Sequence, residues 1–116
     1  METRQLYALL GGDYDDALER MMMDTLVVRF LKLFPEDSAF EKLRAAMTDG
    51  DMEAAFRGAH SLKGVCANLS LTRLGGMASD LTEALRYGRD IPRAMELYPM
   101  VAACYEETVR IIRENL

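Results

Sequence analysis

The sequence predicts an all-α protein, an antiparallel four-helix bundle with extra short helices at its amino end. Three observations carry that expectation. Ala, Leu, Met, Glu and Arg, all good helix formers, fill long stretches of the chain. Only three prolines and eight glycines interrupt them, and no alternating apolar/polar run lasts beyond a few positions. The successive apolar stripes are joined by short connections, which makes neighbouring helices antiparallel. At 116 residues, half of them apolar, the chain suits one domain over residues 1–116 with a single core.

The punctuation sets the elements in order. A short helix is expected over Thr3–Leu10, closed by Gly11-Gly12. Asp13 reads as the N-cap of a segment through Ala17, Leu18 and Met21. Asp24 or Thr25 either restarts or continues it, carrying Leu26, Val27, Phe30, Leu31 and Phe34 towards Pro35. Pro35 suits a first helical turn, where a missing N–H costs nothing, so the next helix is placed over Glu36–Met47 with Phe40, Leu43 and Met47 inward. Asp49-Gly50-Asp51 is a turn and cap before a helix from Met52 to about Leu69. Ser70 or Thr72 opens another, with Leu74, Met77, Ala78, Leu81 and Leu85 as its stripe and Gly88 as its end. Pro92 and Pro99 are two start signals in the last segment, whose main helix carries Val101, Cys104, Tyr105, Thr108, Ile111 and Ile112.

Composition excludes several functions. A formal net charge of −5 argues against nucleic acid, whose phosphates call for basic patches. No run of about 18 apolar residues is present to span a membrane. The opening METRQLYALL is too short and too polar for a signal peptide. Cys66 and Cys104 make neither a metal-ligand pattern nor a disulfide framework, which points to a reducing cytoplasm. The single histidine allows no multi-histidine zinc site. No acidic triad shares one face to hold a metal, and no glycine-rich phosphate loop is present, so no cofactor of its own is expected.

The helix that carries this histidine has a clear inward face. With His60 at 0° and about 100° per residue, Val65, Gly58, Leu69, Leu62, Ala55, Cys66 and Ala59 fall between roughly 140° and 260°. That arc is continuous and apolar and must face the core, so His60 points away from it. Lys63, Gly64 and Ala67 follow within two turns, and Phe56 precedes it by one. A lone helical histidine is ordinarily a plain surface residue, and a mid-helix glycine often admits a neighbouring helix. Gly64 lies off the core arc, however, and glycine costs up to about 1 kcal/mol there, so close approach of another molecule to the imidazole explains it better. Phe56 either adds an apolar contact to that outward face or turns in from the edge of the bundle.

An exposed imidazole is largely neutral near pH 7 and keeps a lone pair on one ring nitrogen. It can attack phosphorus and hold the phosphoryl group as a phosphoramidate, with Lys63 offsetting part of the new charge. A nucleophile that is already neutral needs no general base.

Ala59-His60-Ser61-Leu62-Lys63-Gly64 resembles the A-H-[ST]-L-K-G signature of histidine phosphotransfer (HPt) domains, the bundle-shaped intermediates of two-component phosphorelays. Asp49-Gly50-Asp51, Asn68-Leu69, the Leu74…Leu81…Leu85 stripe, Phe30 to Phe34 and Gly11-Gly12-Asp13 also fall where that family has similar features. The resemblance implies that His60 accepts a phosphoryl group from a receiver-domain phospho-aspartate and passes it to another receiver. It implies that Lys63 neutralises the phosphate and that Gly64 lets the receiver approach, with Phe56, Ala67 and Asn68 in the docking face. Family members often place a polar or cationic side chain on the following helix near the histidine. Thr82 and Arg86 are the candidates here, Thr82 standing, with a shorter side chain, where glutamine is frequent. The implied partners are response-regulator receivers and an upstream hybrid histidine kinase, and the Mg²⁺ such transfers need belongs to the receiver. A non-catalytic adaptor binding a partner through the same face is the alternative; a weaker third reading is a domain detached from a hybrid kinase that acts only there. The end at Leu116, soon after the last helix, favours a free-standing protein, and a monomer is expected.

Other features have plainer readings. Methionines at helical spacing are core filler, although Met21-Met22-Met23 cannot all face inward. Both cysteines fall on apolar stripes as inert thiols. Asp13, Asp15 and Asp16 sit at a helix start, where acids favour the dipole, and lack the further ligands of a calcium site. Gly75-Gly76 reads as a loop or packing feature.

Overall fold

The computed structural model describes residues 1–116 as seven α-helices and two short 3₁₀ turns, without strands. The helices are α1 (Thr3–Leu10), α2 (Tyr14–Met21), α3 (Asp24–Leu33), α4 (Ala39–Asp49), α5 (Met52–Asn68), α6 (Thr72–Leu85) and α7 (Ile91–Asn115). The four long ones form the bundle: α5 packs between α4 and α6, and α6 packs on α7. The N-terminal α1 lies against α7, and its Leu6, Tyr7 and Leu10 join the same buried cluster as the bundle's leucines.

Side-chain caps fix the helix starts that the sequence marks most clearly. Asp13 accepts from the Asp16 N–H, Asp51 from the Ala54 N–H and Asp90 from the Arg93 N–H. Gly11 and Gly50 end α1 and α4 in the left-handed conformation that glycine enters without steric cost. The question left at Met21–Thr25 is decided by Met22, whose φ of 74° stops α2, so that α3 begins anew at Asp24. Met22 and Met23 are both exposed there, while Met21 is half-buried.

Two expectations need correction. The fourth helix begins at Ala39, not Glu36, because Phe34–Glu36 closes a 3₁₀ turn and Asp37 is extended, its carboxylate accepting from the Ala39 N–H. Pro99 is no start signal: α7 runs through it as one helix of 25 residues, and only Pro92 lies at the beginning. An internal proline costs about 3 kcal/mol. Ala94, Leu97, Val101 and Cys104 are buried on either side of it, and that packing outweighs the lost bond. Pro99 itself faces solvent, where the unpaired carbonyl one turn back can meet water.

Candidate functional site

Helix α5 buries the face that the winding assigns. Ala55, Gly58, Ala59, Leu62 and Cys66 are buried, as is Leu69 at its C-cap, and Val65 is half-buried at the edge of the arc. His60 stands exposed on the opposite side. Two glycines on this helix have opposite surroundings. A Cβ on Gly58 would lie 2.8 Å from both Cα and N of Leu43, so Gly58 is where α4 meets α5 at backbone distance. A Cβ on Gly64 would meet nothing within 4 Å. Gly64, Ala67 and Asn68 are all exposed, leaving a low, open strip of surface beside the imidazole.

The other candidates divide. Lys63 is half-buried and forms no ion pair, and it lines a hollow with Ala67 and Gly76. Phe56 is half-buried, packs against the core cluster, and lies nearly parallel to the His60 ring at 24° with 6.0 Å between ring centroids. Arg86 lies over the Phe56 ring, its Cζ 4.9 Å from the centroid, and its Nε donates to Glu83 Oε2 at 2.8 Å. The guanidinium holds the Glu83 carboxyl below its ordinary range. Thr82 must be corrected. It is buried on the inward stripe of α6, one turn after Ala78, and its Oγ1 donates to the Ala78 carbonyl at 2.7 Å. It reaches neither the imidazole nor a partner.

Sequence reasoning missed three neighbours of the site. Gly76 opens the hollow beside Lys63, since a Cβ there would also meet nothing within 4 Å. Arg57, on the turn before His60, is exposed and free of ion pairs; its spacing alone could have marked it. Arg20 on α2 had no local signal. Its Nη1 donates to the carbonyls of Ala67 (2.8 Å) and Asn68 (3.2 Å) and to Ser70 Oγ (2.9 Å). Its Nη2 donates to Asp16 Oδ2 at 3.0 Å, and Ser70 Oγ donates to the same oxygen at 2.6 Å. The Ser70 hydroxyl first, then Arg20, holds the Asp16 carboxyl below its ordinary range.

The family model described as Hpt domain matches residues 26–111, most of the chain and all of α4, α5 and α6. This chain belongs to the Hpt domain family. Comparison with curated proteins and with solved structures gives no match. Membership supports a phosphotransfer role in a two-component relay, and Hpt domains as a family meet receiver domains and histidine kinases. The matched span begins inside α3, so α1 and α2 lie outside it. No helix of this Hpt domain is long and apolar enough to cross a membrane. Both thiols are free and buried, and burial pushes the Cys66 thiol up to about 12, which leaves it inert.

Proposed function

We propose that His60 is the phosphoacceptor of this Hpt domain, taking its phosphoryl group from a receiver phospho-aspartate and giving it to the aspartate of a second receiver. The observation that carries this reading is the open strip at Gly64 and Ala67 beside the chain's only imidazole. A receiver's active-site cleft must close on the ring, and any longer side chain at Gly64 would stand in its way. In the transfer, a ring nitrogen's lone pair attacks phosphorus. The P–N bond forms as the P–O bond to the aspartyl carboxyl breaks, and aspartate leaves as its carboxylate. Lys63, one turn on, offsets charge on the phosphoryl oxygens.

The docking face would continue from Ala67 and Asn68 into a groove of about 350 Å³ whose walls include Met21, Phe30, Leu33 and Val65. Phe30 and Leu33 are exposed apolar side chains on a protein of net charge −5, as a docking helix would require. Mg²⁺ would be held on the receiver's side, beside its phospho-aspartate. A hybrid histidine kinase would stand upstream. The two free thiols support a reducing, cytoplasmic setting, and the domain would act as a monomer spanning residues 1–116.

The test is incubation with phosphorylated receivers and detection of acid-labile, base-stable phosphate. Wild type should be labelled, and His60→Gln should not. Lys63→Ala should fold and accept phosphate more slowly. Labelling that persists in His60→Gln overturns the reading, and a wild type that no phosphorylated receiver labels is an adaptor instead.

A further inference from the structure

Neither α6 candidate holds the imidazole by a hydrogen bond: Thr82 gives its hydroxyl to Ala78, and the Arg86 Nε is taken by Glu83. The aromatic neighbour of the His60 ring is Phe56. Cα–Cβ bonds in a helix tilt towards its N-terminus, so the His60 side chain leans over the turn that carries Phe56, one turn before it. The two rings lie nearly parallel, at 24° and 6.0 Å, within the range for offset stacking. Phe56 is fixed in turn by the core cluster beneath it and by the Arg86 guanidinium over its ring. Guanidinium, phenyl and imidazole thus form one chain of contacts from the end of α6 to the nucleophile.

We propose that Phe56 is a positioning residue for His60, setting the plane of the imidazole by stacking, and that Arg86 acts through Phe56 to steady it. This rests on His60 being the phosphoacceptor. The arrangement leaves both ring nitrogens without a protein partner, one to attack phosphorus and the other to keep its proton. Without the stack, the ring spreads over the two χ1 wells that a helix ordinarily allows and the two-fold χ2, so the attacking orientation falls about two- to fourfold in population.

The experiment uses the full chain and two readouts that need no receiver. The first is the position of the His60 ring-proton resonances, which a stacked phenyl displaces upfield. The second is the saturating rate of labelling by phosphoramidate, a small donor whose P–N bond breaks with loss of ammonia as the bond to the imidazole forms. In Phe56→Leu, the ring protons should return to the position of a free exposed histidine. Measured well below the melting transition of either protein, the saturating rate should fall about two- to fourfold, with KM for phosphoramidate held. Phe56→Tyr should keep both wild-type values. Arg86→Gln, which shortens a half-buried side chain outside the core, should show a smaller loss in both readouts and serves if Phe56→Leu does not fold. Ring protons and rate unchanged in the variants overturn the proposal. So does a rate loss that follows the melting temperature while the ring protons stay put. If wild type takes no phosphate from any receiver, the phosphoacceptor reading fails, and the resonances still report on the stack.

Discussion

Gly58 and Gly64 show how one residue type can serve two opposite purposes on a single helix. Gly58 has Leu43 backbone at 2.8 Å from where a Cβ would sit, and Gly64 has open space. Gly58→Ala should therefore force α4 from α5 and destabilise the fold by about 1–3 kcal/mol. Gly64→Ala should stabilise it by up to about 1 kcal/mol, the ordinary helix preference of alanine. Denaturant unfolding of both variants checks the pair, and equal signs would contradict the geometry. Gly64→Gln carries the contrast to function. It should fold and react with phosphoramidate at His60 while losing transfer from a phosphorylated receiver; wild-type transfer would remove Gly64 from the docking face.

At the scale of elements, the carbonyl end of α5 depends on partners distant in sequence. Its final carbonyls have no place in the helix ladder and must be paired elsewhere. Cys66 O accepts from the Leu71 N–H, Ala67 and Asn68 O from Arg20, Leu69 O from the Tyr7 hydroxyl at 2.7 Å, and Ser70 O from the Asp13 N–H. Tyr7 is buried, and burial raises its phenol far above the ordinary range, so it stays a donor. Tyr7→Phe should leave the Leu69 carbonyl buried without a partner and cost about 1–3 kcal/mol, read as a lower unfolding midpoint with an unchanged denaturant slope. Such bonds mark the limit of what the sequence discloses. The core arc of α5 and the caps at Asp13 and Asp51 were legible because each is set by spacing within a turn or two. The start of α4 and the passage of α7 through Pro99 were not, since packing against other helices decides them. Arg20, 47 positions from Ala67, left no local trace, and Thr82 looked available only because its place on the inward stripe was not weighed against its polarity.

At the scale of the molecule, α7 is the spine. At about 1.5 Å per residue its 25 residues extend nearly the length of the 40 Å long axis. Against it and the bundle, the amino-terminal helices are held by polar links around Asp16, whose carboxyl is kept below its ordinary value by Ser70 and Arg20. A group depressed in the folded state stabilises above its unfolded pKa and stops doing so as pH falls through the folded one. The gap in melting temperature between wild type and Asp16→Asn should thus be present at neutral pH and close as pH drops below about 4. A constant gap from pH 7 to about 3 would show that ionisation plays no part.

The bonds from the amino-terminal helices to the end of α5 bear on what counts as a unit of inheritance. The matched family span starts at residue 26, yet Arg20 bonds the last carbonyls of its central helix, and Tyr7 and Asp13 bond the two residues that follow it. A fragment cut at that boundary would keep the signature and lose the fastening. In this protein the stretch that descent has kept recognisable is shorter than the stretch that its hydrogen bonds tie together.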